Sequence, residues 1–141
     1  MEPKPVEIIR DFYAARDRQD WARVAAHFDD DIVLVVAPDV STESGTFRGR
    51  EDVNGWFGRW FDAFASDYKL KVEDMRDLGD RVLVVQRHEG RGRRSGVRVE
   101  MKNASLFWLR AGRIERIEIH GGPDEALEAN GPPEDDAHRD A

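Results

Sequence analysis

The chain has 141 residues, enough for one compact domain with a real core and too few for two ordinary ones. Hydrophobic residues make up 40% and charged residues 36%, a globular balance in which no apolar run approaches the roughly 20 residues of a membrane helix. Cysteine is absent, which excludes disulfides, thiol catalysis and Cys-ligated zinc, and a net charge of −7 argues against nucleic acid as a partner.

The opening "MEPKPVEIIRDFY" has neither a basic n-region nor an apolar h-region, so a cytoplasmic rather than secreted protein is expected. Val6, Ile9 and Tyr13 recur at helical spacing, with Ile8, Phe12 and Ala15 widening the apolar face and Pro5 suited to the first turn. Asp20 can cap a short second helix carrying Trp21, Val24, Ala25 and Phe28. Three aspartates, Asp29 to Asp31, break that pattern, and "IVLVV" from Ile32 to Val36 reads as a strand covered on both faces. After the loop "APDVSTESG" comes the strongest helical signal. Val53, Trp56, Phe57, Trp60, Phe61 and Phe64 form one broad aromatic stripe.

The second half reads as sheet. Strands are expected at Tyr68 to Leu78, Arg81 to Arg91, Val97 to Arg110 and Arg113 to His120, with tight turns at "LGD" and "RAGR" and a longer basic loop at "GRGRRSG". "PDEALEANG" suits a short closing helix. From Gly131 the chain runs "GPPEDDAHRDA", with two prolines and four acids, too polar to offset its own ordering entropy. A single domain over 1–130 with a disordered acidic tail over 131–141 is therefore expected, and its class is α+β, helices lying on one side of an antiparallel sheet.

Three segments carry a resemblance: "FYAARDRQDWARVAAHFDDDIVLV" from Phe12, "FRGREDVNGWFGRWF" from Phe47 and "FWLRAGRIERIEIH" from Phe107. They resemble the nuclear-transport-factor-2-like (NTF2-like, cystatin-like) superfamily, within it the SnoaL-like and ketosteroid-isomerase-like proteins, and the closing "DEALEANG" is similar to the end of many bacterial SnoaL-like members. The resemblance implies a curved antiparallel sheet wrapped around the N-terminal helices and the aromatic helix, a conical pocket for a small hydrophobic molecule, and a homodimer formed through the sheet face. It also implies that the isomerase machinery is missing. That family's tyrosine falls on Phe12, its base on Val36 and its second aspartate near Ser105, while Tyr13 stands ~100° further round the helix. The water-activating set of limonene-epoxide-hydrolase-like members is matched only by Arg87 and Glu89; its remaining positions fall on Ile119, Leu34 and Val36.

With this alignment the inward face of the Arg81 strand is expected to carry Leu83, Val85, Arg87 and Glu89. Glu89 would be a base and Arg87 its orienter, or the two would form a solvated pair at the rim. The neighbouring strand contributes Met101, Asn103, Ser105 and Phe107, where Asn103 and Ser105 hold a ligand oxygen or satisfy each other in the core. Tyr13, Trp56 and Trp60 complete the ligand-binding set. His88 and His120 are expected to point outward, and His27 to end a helix. No metal-ligand spacing and no cofactor motif is present. The expected function is a SnoaL-like pocket protein, either a ligand binder or a proton-transfer or water-adding enzyme of isomerase, hydrolase or cyclase type. The alternative is a non-catalytic dimerising module whose pocket is filled by its own side chains.

Overall fold

A computed structural model describes residues 3–130; the expected acidic tail, 131–141, lies outside the described residues. Helix α1 spans Pro5–Asp17 and starts on a proline, whose fixed φ and missing N–H suit the first turn. Helix α2, Trp21–Ala26, is capped by the Asp20 carboxylate, which accepts from the Arg23 amide at 3.2 Å. Strand β1 is Phe28–Val36 and β2 is Gly45–Arg48, followed by α3 over Arg50–Asp62. The meander then runs β3 (Lys69–Asp77), β4 (Arg81–Arg91), β5 (Arg98–Arg110) and β6 (Arg113–His120), and α4 closes at Pro123–Asn130.

The six strands form one sheet in the order β2-β1-β6-β5-β4-β3. Every pairing is antiparallel except β1 with β6, which run parallel. The β5–β6 turn has Ala111 at φ 52° and Gly112 at φ 78°, the double left-handed geometry that matches the twist of a tight hairpin.

Two readings of the first half are corrected. The aspartates do not precede β1 but belong to it, because the pairing with β6 is irregular between Phe28 and Val33 and lets an exposed acidic stretch sit inside the strand. Strand β2 stands where only a loop leading to a helix was read; four largely exposed residues beginning with glycine carry too little period-2 signal to be seen.

One face of the sheet receives α1, α2 and α3. Phe12 is the centre of that core, with ring centroids of Tyr13, Phe28, Phe57 and Phe107 at 5.2 to 6.0 Å from its own. The opposite face carries a smaller cluster in which Leu83, Ala104 and Leu106 pack with Ala126 of α4. Strand β4 is thus apolar on both sides over its first half, for two different reasons. The second half of the sheet extends past α4, and there its outer face is a lattice of charges.

Candidate functional site

Between the helices and the sheet lies a cavity lined by Phe12, Tyr13, Arg16, Trp56, Phe57, Trp60, Gln86, His88, Asn103, Ser105, Phe107 and Ile119. It holds about 20 Å³ of space for the centre of a water molecule, room for one water and little more. Trp56 and Trp60 stack at 5.6 Å and 21° on one wall. Both also line a groove of about 240 Å³ outside, together with Val40 to Glu43, Phe64 and Met101. The loop over this groove is tied down at Glu43, whose backbone carbonyl accepts from Trp56 Nε1 at 2.9 Å and whose carboxylate accepts from Arg59 Nε at 2.8 Å.

The polar atoms of the cavity form a directional network. The Tyr13 hydroxyl donates to Gln86 Oε1 at 2.5 Å, and Gln86 Nε2 donates to Asn103 Oδ1 at 2.7 Å and to Ser105 Oγ at 3.1 Å. His88 Nε2 lies 3.0 Å from the same Asn103 oxygen. That oxygen only accepts, so Nε2 carries the proton and Nδ1 is the acceptor of the Tyr68 hydroxyl at 2.6 Å. Tyr68 Oη in turn accepts from Trp60 Nε1 and Arg16 Nη2, both at 2.9 Å. Side chains from α1, α3, the segment before β3, β4 and β5 are thereby joined, and such buried groups are expensive to leave unmet.

Electrostatics follow from burial. His88 is 2% exposed; burial, then the nearby Arg16 cation, pushes its imidazole down to about 4, against a smaller upward effect of Asn103. It is therefore neutral at pH 7. Burial pushes the Tyr13 phenol up, so its proton stays in place. Among the described residues no three His, Asp or Glu side chains converge on a metal position.

The structure brings Tyr13, Trp56, Trp60, Asn103, Ser105 and Phe107 to the cavity, with Met101 on the same sheet face but in the outer groove. Arg87 and Glu89 are not there. Strand β4 turns Val82, Val84, Gln86 and His88 inward, opposite Phe107, Ser105, Asn103 and Met101 of β5, because directly paired residues share a face. Leu83 and Val85 consequently face outward, and Arg87 is held on the outer surface by Glu73 (3.2 Å) and Glu100 (2.5 Å). The rim-pair alternative thus describes Arg87, with different partners from the one expected. The same one-residue shift overturns the outward reading of His88. His120 does face outward, 3.0 Å from the Glu118 carboxylate, and His27 ends α2 against Asp11 at 2.6 Å.

Four cavity groups were missed: Arg16, Tyr68, Gln86 and His88. The β4–β5 hairpin contained the signal for two of them. With Arg91 opposite Arg98, an inward Asn103 requires an inward Gln86 and excludes an inward Arg87. Arg16 stands four residues after Phe12 on the same helical face, a position where a cation is out of place unless it has a task.

A curved sheet closed over three helices, with a polar network at the base of an aromatic cavity, defines an NTF2-like α+β protein. The chain belongs to the SnoaL-like domain family, whose model matches residues 9–117. No curated protein matches the chain. Among solved structures it is similar to an NTF2-like protein of Burkholderia thailandensis E264, at 30% identity and TM-score 0.74 over 83% of this chain and 89% of that one. TerC, co-crystallized with polyporic acid, shares the fold at 18% identity and TM-score 0.71, covering 92% of this chain and 98% of its own. So does a protein of Catenulispora acidiphila DSM 44928 with a ketosteroid isomerase-like fold, in complex with trimethylamine, at 21% identity and TM-score 0.69 over 95% and 98% of the two chains. Among the described residues no helix is long and apolar enough to cross a membrane.

Proposed function

We propose that this chain binds a small, flat, largely apolar molecule bearing a hydrogen-bonding oxygen, and that it acts as a binder rather than as an acid–base enzyme. The observation that carries this reading is the convergence of Tyr13, Gln86, Asn103, Ser105 and His88 on one aromatic-lined cavity. Few precisely placed polar groups in an apolar wall orient a ligand. The protonation states suit holding more than transfer: a phenol kept protonated and an imidazole kept neutral, with its basic nitrogen already engaged. In this reading the polar head of the ligand enters the inner cavity and its body occupies the outer groove, with Trp56 and Trp60 moving apart to join the two. That two neighbours of this fold were crystallised with small molecules agrees with it.

The small inner volume favours a second reading, in which the pocket is filled by its own side chains and the domain serves association. A thermal-shift panel of ketones, phenols, epoxides and sterols separates the two. A ligand at about 100 times its dissociation constant adds roughly 2.7 kcal/mol to stability, and that gain should shrink in a Trp60→Ala chain. No shift across this panel and across a matching series of aromatic carboxylates would remove the binding reading. We further propose the homodimer, seated on the outer sheet face beside α4; a species of single-chain mass at micromolar concentration in sedimentation would refute it.

A further inference from the structure

Arg16 is 3% exposed and lines the cavity. Its Nη2 donates to the Tyr68 hydroxyl, while its buried Nη1 has no hydrogen-bond partner among the described residues. The nearest carboxylate, Asp17, is 3.7 Å from Nη1, outside hydrogen-bond reach, and is itself half exposed. What faces the guanidinium otherwise is aromatic: Phe61 of α3, with its ring centroid 4.7 Å away, and Tyr68, at 5.7 Å. Asp17 thus gives Arg16 a long ion pair but no hydrogen bond, and the buried Nη1–H groups are left unmet, a costly arrangement unless a further acceptor completes them.

We infer that the ligand is an anion: a small apolar monocarboxylate or phenolate whose oxyanion completes Arg16. This rests on the reading of the cavity as a small-molecule site and adds the charge of its occupant. Guanidinium and oxyanion make the short, charge-assisted bonds that a neutral oxygen cannot match. The remaining lining agrees. Tyr13, Gln86, Asn103, Ser105 and the Nε2–H of His88 are neutral and, among the described residues, no carboxylate lines the cavity to oppose a negative charge. The positive field reaches both ends of the network: Arg16 adds to burial in lowering the His88 imidazole and works against burial at the Tyr13 phenol.

The test compares acids with their own amides. Benzoate, phenylacetate, cinnamate and 2-naphthoate are titrated against the corresponding primary amides by calorimetry at pH 7.5, on the wild-type chain and on Arg16→Met. Each acid of the pair that fits should bind at least about tenfold tighter than its amide, and the preference should vanish in Arg16→Met. Equal affinity of acid and amide would overturn the anion while leaving the small-molecule reading intact. An acid preference that survives in Arg16→Met would overturn the assignment to Arg16. Failure of acids and amides, together with no hit in the neutral panel above, would remove the binding reading and this inference with it. The acid–amide comparison on the wild-type chain needs no variant, so it decides the charge question even where Arg16→Met does not fold.

Discussion

The two faces of strand β4 solve the placement of polar side chains in opposite ways. Inward, Gln86 and His88 are neutral, buried and bonded in a fixed direction to Tyr13, Asn103, Ser105 and Tyr68. Outward, Arg87 shares Glu73 and Glu100 in a lattice that also holds Lys102, 3.2 Å from Glu73. Two residues one step apart on the same strand therefore belong to different dielectric worlds. Where water is excluded, the chain places groups that need no counter-ion; where water reaches, it places full charges whose pairing adds little. Arg16, Arg81 and Glu118 are buried charges that depart from this rule, and of these three it is Arg16 that lines the inner cavity.

The comparison can be strained most strongly at the aromatic centre that keeps the inner face dry. Phe12→Ala should cost about 3–5 kcal/mol in a urea titration, since a fully buried ring packed on four others is lost. A loss well below that would mean that water already reaches the cavity.

Acid is the next lever. The His88 imidazole lies at about 4 in the folded chain against 6.5 when free. Above pH 6.5 both states are neutral there; between pH 6.5 and 4 the unfolded chain takes up the proton and the folded one does not. Stability therefore falls as pH is lowered through that window, by about 3 kcal/mol in full. The stability difference between wild type and His88→Gln should change between pH 6.5 and 4 and stay constant above and below that window. Asp11, held below the usual carboxylate range chiefly by its hydrogen bond with His27, and Glu73, held low chiefly by Lys102, act in the same direction but at lower pH. They are common to both curves.

Smaller effects discriminate between the faces. Gln86→Leu deprives Tyr13 and Ser105 of a partner and should cost about 1–3 kcal/mol by chemical denaturation. Arg87→Gln should leave the melting temperature within experimental scatter at moderate salt, because its ion pairs are open to solvent. Equal losses for the two substitutions would break the distinction drawn above.

Most of the architecture was legible because its signals are periodic. The stripe from Val53 to Phe61 could only be one face of a helix, and the alternation of Val99, Met101 and Asn103 with Arg98, Glu100 and Lys102 phased β5 correctly. Strand β4 offered no such phase: Val82 to Val85 is apolar throughout, since helices cover one face and α4 the other. Without that phase the charges of Arg87 and Glu89 are the visible chemical signal in the strand, while its inward positions belong to Gln86 and His88. Tyr68 was out of reach for a different reason. It lies in the segment before β3, and its place under Arg16 and His88 depends on how α1 crosses the sheet, a tertiary fact with no local trace.

The parallel pairing of β1 with β6 sets an order in time. Strands β3 to β6 join neighbours in sequence, and β1 and β2 do the same, but Leu34 meets Ile117 only when nearly the whole chain is available. Contacts this distant form late and slowly. The cavity draws Phe12 and Trp56 from one side of that seam and Gln86 and Asn103 from the other. During synthesis, then, the cavity is among the last features to exist: a nascent chain released before β6 would carry every side chain of the hydrogen-bonded network and still lack the seam that closes its walls.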